Sequence, residues 1–113
     1  MLKAAIIGCG DIAGGYDEKS TDNGVYSHAG AYRACSVNIV AVFDVDINRA
    51  RSFAEYWGVE RVYECLEALY AADEYDFVSI CTPDKTHHDI VTSFLFEGKA
   101  RIVWVEKPFA STS

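Results

Sequence analysis

A glycine-punctuated turn near the start of the chain, residues 8–13 (Gly-Cys-Gly-Asp-Ile-Ala), could bind a diphosphate. An apolar run at residues 2–7 leads into it, so the turn would follow a buried strand. Gly8 permits a tight turn, Gly10 has no side chain to hold phosphates away, and Ala13 lets a following helix pack closely. The first amides of that helix would face the anion. The G-x-G-x-x-A pattern alone does not exclude an ordinary strand-to-helix turn.

A carboxylate follows the second apolar run, where Asp44 comes directly after residues 37–43. A carboxylate in that place can accept hydrogen bonds from both hydroxyls of an adenosine ribose and repels a 2′-phosphate, which favours NAD over NADP. Residues 45–47 contain no arginine, which favours the same cofactor. The interval from Gly10 exceeds the usual spacing of about 20 residues. The alternative is that Asp44 only begins a turn.

Lys107 follows the last apolar run, between Glu106 and Pro108. Its ammonium could hydrogen-bond a substrate hydroxyl or carbonyl and shift its proton affinity during hydride transfer. The neighbouring acid could orient the lysine, and the proline would make the turn rigid. The alternative is a solvated surface lysine.

The histidines and cysteines do not predict a metal site. His28, His87 and His88 have no second ligand at metal spacing, and the four cysteines form no C-x-x-C pair. On the residues alone, His87 and His88 could contact a cofactor or simply cap a helix. Reduced thiols are typical of a cytoplasmic protein.

Length and charge exclude several classes of function. A chain of 113 residues with 50% hydrophobic and 24% charged residues is typical of one soluble domain with a modest core. Its formal net charge of −7 argues against nucleic acid or an anionic membrane as a partner. No apolar run approaches the roughly 20 residues of a membrane span, and the start lacks a signal-peptide layout. We therefore expect a cytoplasmic protein.

The elements that would position these residues alternate along the chain. Strands are predicted at residues 2–7, 37–43, 61–63, 76–81 and 102–105, and helices at 28–35, 46–57, 64–72 and up to residue 97, with a long loop at 15–27. Continuously apolar strands indicate a parallel sheet covered by helices on both faces. Right-handed crossovers then give a doubly wound Rossmann α/β domain over residues 1–113, with strand order 3-2-1-4-5.

In such a sheet, ligands bind beyond the carboxyl ends of the strands, near the switch between strands 1 and 4. Four strand ends would carry polar or glycine-rich segments to that crevice: the glycine turn, Asp44, residues 82–84 and residues 106–108. Strand 3 lies away from it.

Together these segments resemble the amino-terminal domain of the Gfo/Idh/MocA oxidoreductases, the family of glucose–fructose oxidoreductase and inositol dehydrogenase. The matches are residues 8–13, 41–44, 48–55, Thr82-Pro83 with His87, 98–99 and 106–108. Each is short, but their order and spacing are specific and extend over nearly the whole chain.

The resemblance implies hydride transfer between a nicotinamide cofactor and a sugar, sugar nucleotide or polyol. The implied cofactor contacts are Gly8, Gly10, Asp11, Ile12, Ala13, Asp44, Thr82, Pro83, His87, Glu106, Lys107 and Pro108. Thr82, Pro83 and His87 would line the nicotinamide side of the pocket. Lys107 would occupy the catalytic position beside nicotinamide and substrate.

The chain departs from the family pattern in three places. Asp84 stands where the family usually has asparagine, which puts a negative charge near the cofactor. Residues 15–27 are longer than usual and could be a lid over the pyrophosphate or a surface excursion. Family members continue into a second α/β domain that supplies the substrate pocket, and neither it nor a sixth strand is in this chain.

Three hypotheses follow from these departures. The chain is the cofactor-binding part of an oxidoreductase, a stand-alone nucleotide-binding module without turnover, or a remnant that serves assembly without a ligand. Strand 5 would be an apolar edge, which invites pairing with another chain and predicts a homo-oligomer.

Overall fold

The computed structural model describes residues 2–10, 13–14, 16–19, 27–81, 97–98 and 100–105. Its strands are β1 (Lys3–Ile7), β2 (Asn38–Phe43), β3 (Arg61–Tyr63), β4 (Tyr75–Ile80) and β5 (Ala100–Val105). Its helices are α1 (Tyr16–Lys19), α2 (His28–Ala34), α3 (Ile47–Trp57) and α4 (Leu66–Ala72). None of the helices in these ranges is both long and apolar enough to cross a membrane.

The five strands form one parallel sheet in the order β3-β2-β1-β4-β5, as predicted. Ile7 at the end of β1 pairs with Phe43 of β2 and with Ile80 of β4, and Ile80 pairs with Val105 of β5. The carboxyl ends of these four strands are therefore level, and the chain leaves all of them at the same edge of the sheet.

Hydrophobic clusters cover both faces of the sheet, because neighbouring strand residues point to opposite sides. Ile6 lies in one cluster and Ile7 in the other, and both are fully buried. In β2, Val42 lies in the same cluster as Ile6, and Ala41 lies in the same cluster as Ile7. Burial on both faces explains why the strands are continuously apolar in sequence.

Local signals at both ends fix α3. The Asp46 side chain accepts hydrogen bonds from the backbone N–H groups of Asn48 and Arg49, at 3.0 and 3.3 Å. Such a cap stabilises a helix by about 1 kcal/mol. Gly58 ends the helix in the left-handed conformation, with φ of 71°. The buried side of the helix consists of Ala50, Phe53, Ala54 and Trp57.

The prediction of a continuous loop at residues 15–27 is wrong at residues 16–19, which form α1. Two carboxylates hold this segment. Asp17 accepts a hydrogen bond of 2.5 Å from the Ser27 hydroxyl, and Glu18 accepts one of 2.9 Å from the indole N–H of Trp57. Polar residues that are typical of a loop therefore anchor a helical turn here. Residues 20–26 and the helix predicted to end at residue 97 lie outside the described residues, except that residues 97–98 form a turn.

Candidate cofactor-binding site

The glycine turn is fixed to the end of β2. Gly8 has φ of 92°, a conformation that favours glycine, and its N–H donates a hydrogen bond of 2.7 Å to Phe43 O. A Cβ built on Gly10 would meet no atom of the described residues within 4 Å. Packing among the described residues therefore does not require glycine at this position. The space at Gly10 fits a bound diphosphate.

Two small residues lie at the end of the glycine turn. Ala13 is fully buried, which is compatible with its predicted role of letting the following helix pack closely. Gly14, which the sequence pattern did not single out, packs against α3: a Cβ there would overlap the side chains of Phe53 and Trp57. Gly14 N–H donates to Gly10 O at 3.1 Å, which ties Gly14 to the glycine turn. Asp11 and Ile12 lie outside the described residues.

Asp44 joins the end of β2 to the glycine turn. Its Oδ2 accepts a hydrogen bond of 2.7 Å from Cys9 N–H, and its Oδ1 accepts one of 2.8 Å from Asp46 N–H. The residue is 5% exposed. Each carboxylate oxygen has a second lone pair, which a ribose hydroxyl could use. Asp44 thus organises the turn that follows β2, and this role is compatible with ribose binding.

Arg49 is a cation at this site that the sequence analysis missed. Its Nη1 lies 3.7 Å from Asp44 Oδ2, and its side chain is 55% exposed. Residues 45–47 contain no arginine, but α3 begins at residue 47 and its first turn brings residue 49 back towards Asp44. The signal that could have found Arg49 is the predicted start of this helix, two residues after Asp44.

Val45 is a second missed feature of this region. It directly follows Asp44 and is 92% exposed. An apolar side chain left in water beside a candidate ribose acid is suited to contact the flat face of an adenine.

The Cys9 thiol lies inside the glycine turn and is not a nucleophile. Burial, and then the negative charge of Asp44, raise the pKa of this thiol far above its usual range. Cys9 therefore stays protonated, and a protonated thiol is a poor nucleophile and metal ligand. Across the part of the chain that the structure describes, no group of three or more histidine, cysteine or acidic side chains could hold a metal ion.

A chain of buried hydrogen bonds lies next to the site, between α2 and β4. Ser79 Oγ lies 2.7 Å from His28 Nδ1 and 2.6 Å from the Tyr32 hydroxyl. His28 also packs its ring against Trp104 of β5, with ring centroids 3.6 Å apart. Burial raises the pKa of Tyr32, so its hydroxyl keeps its proton. The sequence assigns His28 no role beyond excluding a metal site. Of these partners, only Tyr32 is close to it in the chain.

The residues predicted for the nicotinamide side lie outside the described residues: Thr82, Pro83, His87, Glu106, Lys107 and Pro108. The described residues that lead to them are Cys81 and Val105. Cys81 N–H donates to Ile7 O at 2.8 Å, and Val105 pairs with Ile80. Both segments therefore start from the edge of the sheet that carries the glycine turn.

A family model described as an oxidoreductase family with an NAD-binding Rossmann fold (GFO_IDH_MocA) matches residues 2–113. The chain belongs to this family. It is an NAD-binding domain of the Gfo/Idh/MocA oxidoreductases, in agreement with the resemblance found in the sequence.

Characterised relatives and solved structures of the family agree with this assignment. D-apiose dehydrogenase of Paraburkholderia graminis is 33% identical over 98% of this chain, which spans 26% of that protein. D-glucoside 3-dehydrogenase of Escherichia coli is also 33% identical over 98% of the chain, which spans 28% of its length. A putative myo-inositol dehydrogenase from Sinorhizobium meliloti has a TM-score of 0.74 at 31% identity, covering 96% of this chain and 28% of that one.

An oxidoreductase from Agrobacterium radiobacter was solved in complex with NAD+, L-tartaric acid and magnesium. It has a TM-score of 0.71 at 30% identity and matches 98% of this chain and 29% of its own. The chain thus spans less than a third of the length of each of these proteins.

Proposed function

We propose that this chain binds NAD across the carboxyl ends of β1, β2 and β4, as the cofactor domain of an oxidoreductase. The observation that carries the proposal is the hydrogen bond of 2.7 Å from Cys9 N–H to Asp44 Oδ2. It makes the candidate diphosphate turn and the candidate ribose acid parts of one structure. The open space at Gly10 and the exposed Val45 support the same ligand.

In the adenosine half of the site, Gly8, Gly10, Asp11, Ile12 and Ala13 hold the pyrophosphate, and Asp44 accepts hydrogen bonds from the ribose hydroxyls. A buried carboxylate beside the 2′-position favours NAD over NADP because it repels a phosphate there. Arg49 lies 3.7 Å from that carboxylate and weakens this repulsion without reversing it.

In the nicotinamide half, Thr82, Pro83 and His87 line the pocket, and Glu106, Lys107 and Pro108 approach the ring. The bound cofactor supplies or accepts a hydride. Lys107 is proposed as the catalytic residue, since its ammonium can hydrogen-bond the substrate oxygen and hold its proton. The level ends of β1, β4 and β5 support this arrangement, because the chain leaves all three towards the same edge.

The proposed substrate is a sugar, sugar nucleotide or polyol, in keeping with relatives named for D-apiose, D-glucosides and inositol. Since the chain spans less than a third of the length of those relatives, this substrate class is proposed for the oxidoreductase as a whole and not for the described residues alone. We further propose a cytoplasmic setting, supported by four cysteines that are thiols and not disulfides. We also propose contact with a second copy through the edge of β5.

Titration of the chain with NADH, followed by cofactor fluorescence, tests the proposal. We expect saturable binding that Asp44→Asn weakens. Glu55→Gln is the matched control, because it removes an exposed carboxylate from α3 and should leave the affinity unchanged. Absence of binding at millimolar NADH would contradict cofactor binding by this chain and favour an assembly role.

A further inference from the structure

We infer that His28 is a positioning residue: through its contact with Trp104 it fixes the carboxyl end of β5, and with it the point from which residues 106–108 enter the site. The inference rests on the proposed function, because it assigns those residues to the nicotinamide half. His28 itself contacts neither cofactor nor substrate in this proposal.

His28 joins two neighbouring strands at one level of the sheet. It is the first residue of α2 and is 2% exposed. Its Nδ1 lies 2.7 Å from Ser79 Oγ of β4, and its ring centroid lies 3.6 Å from that of Trp104 of β5, with the ring planes at 31°. Ser79 and Trp104 are register partners across β4 and β5. One imidazole therefore holds both members of a pair next to the carboxyl end of the sheet.

The imidazole is itself held in place by its surroundings. Tyr32, one helical turn later in α2, places its hydroxyl 2.6 Å from the same Ser79 oxygen. The Tyr32 ring also meets Trp104 edge-on, with centroids 6.4 Å apart and planes at 84°. Ser79 is fully buried, so water does not compete for these hydrogen bonds. The hydrogen bond to Ser79 of β4 thus holds the His28 ring through a contact that does not involve β5.

The carboxyl end of β5 depends on this contact more than the other strand ends do. Among the described strands, β5 lies at the edge of the sheet and pairs only with β4. Ile102 and Val105 are 54% and 36% exposed. Trp104 is 43% exposed, and within the described ranges its ring meets those of His28 and Tyr32. Among these residues, α2 therefore holds the strand end through Trp104.

The adenosine half of the site is held separately. The glycine turn and Asp44 are tied together by the bonds from Gly8 to Phe43 and from Cys9 to Asp44, all within β1, β2 and the turn. Loss of the His28 contact should leave this half unchanged. Lys107 follows Trp104 by three residues in the sequence, so in the proposed site a shift of the strand end is carried to it. Small displacements of this kind matter for contacts that need close geometry.

This division predicts a difference between two ligands, NADH and ADP-ribose, which lacks the nicotinamide. His28→Asn keeps a side-chain oxygen for Ser79 and removes the ring that faces Trp104. We expect it to weaken NADH binding by roughly three- to tenfold, the range of a single aromatic contact. ADP-ribose binding should stay within about twofold, since the adenosine half does not use this contact.

Trp104→Val tests the same contact from the exposed side, where loss of the fold is not expected. It should weaken NADH binding and leave ADP-ribose binding unchanged, as His28→Asn does. The variant that carries both changes should lose no more NADH affinity than either single variant, because the two changes remove one contact. Ile102→Val, on the same strand, is the matched control and should change neither affinity. Circular dichroism checks that each variant is folded.

An equal loss for NADH and ADP-ribose would overturn the inference, because a general structural role would weaken both ligands. Unchanged NADH binding in both His28→Asn and Trp104→Val would overturn it as well. A wild-type chain that binds neither ligand would refute the proposed function itself, and the inference with it.

Discussion

Cys9 donates its backbone N–H to Asp44 Oδ2 at 2.7 Å, although the two residues are 35 positions apart in the chain. The bond joins the turn after β1 to the turn after β2. It also uses one of the two carboxylate oxygens, while Asp46 N–H occupies the other. The candidate ribose acid is therefore oriented before any ligand arrives, which lowers the entropy that binding must remove.

Asp44→Ala should reduce both stability and cofactor selectivity. It leaves the Cys9 and Asp46 amides without their acceptor, which should lower the free energy of unfolding by roughly 2–4 kcal/mol. It should weaken NADH at least about tenfold, as expected for lost hydrogen bonds to a charged group. NADPH should be weakened less, because the repulsion of its 2′-phosphate disappears with the carboxylate. Urea denaturation and fluorescence titration measure the two effects.

Asp44→Asn separates these effects, since its amide oxygen can still accept one of the two backbone hydrogen bonds. Its loss of stability should be smaller than that of Asp44→Ala. Equal effects of Asp44→Ala on NADH and NADPH would remove Asp44 from the ribose site.

Arg49→Gln should lower the affinity for NADPH more than that for NADH. The guanidinium lies 3.7 Å from Asp44 Oδ2 and is 55% exposed, so it can reach a phosphate beside the ribose. Stability should change by no more than about 0.5 kcal/mol, as is usual for an exposed ion pair. Arg51→Gln removes the same charge from the same helix and serves as control. If Arg49→Gln lowered the affinities for NADH and NADPH equally, the arginine would not face the 2′-position of the ribose.

Gly10→Ala should impair cofactor binding, whereas Gly14→Ala should impair stability. A Cβ on Gly10 meets nothing within 4 Å in the described residues, so stability should be preserved while NADH binding falls at least about tenfold through lost phosphate contacts. A Cβ on Gly14 overlaps Phe53 and Trp57, so thermal unfolding should show a loss of about 1–3 kcal/mol. Preserved NADH affinity in Gly10→Ala would contradict its role in the diphosphate site.

The sequence predicted the sheet because the signals for it are local or general. Apolar runs mark the strands, Asp46 and Gly58 mark the ends of α3, and right-handed crossovers leave few strand orders. The features it missed depend on contacts between distant residues. Asp17 and Glu18 resemble loop residues until Ser27 and Trp57 are placed beside them.

The parts of the site that the sequence analysis missed also depend on contacts that form only when the elements have folded together. Arg49 faces Asp44 only once α3 has formed, and the position of His28 against Trp104 depends on the register between β4 and β5. No pattern of residue types in a single segment encodes the contact between His28 and Trp104.

The four thiols should differ in reactivity. Cys35 and Cys65 are exposed and should react at once with a disulfide reagent such as DTNB at pH 8. Cys81 is half-buried and should react more slowly. Cys9 is buried, and its raised pKa keeps it protonated, so it should react only after denaturation. Rapid reaction of Cys9 in the native chain would contradict the buried turn.

The same thiol should make the fold sensitive to alkali. Unfolded Cys9 ionises near its ordinary pKa of 9.0, whereas the folded form keeps its proton because burial and Asp44 raise its pKa. The unfolded state therefore binds fewer protons above that pH, and the free energy of unfolding falls as pH rises. The free energy of unfolding of the Cys9→Ala variant, measured by urea denaturation, should fall less steeply between pH 8 and about 10. Identical slopes for the two proteins would show that Cys9 titrates alike in both states.

The edge of β5 should support association between copies of the chain. Ile102, at 54% exposure, lies on a strand that pairs only with β4 among the described strands. An apolar strand edge with free backbone groups favours pairing with another strand, and a charged side chain on it opposes pairing. Sedimentation equilibrium should therefore show a concentration-dependent dimer that Ile102→Lys converts to a monomer. Tyr56→Lys is the control, because it places the same charge on a half-exposed side chain of α3. A wild-type chain that remains monomeric at all concentrations would show that the edge of β5 does not pair two copies.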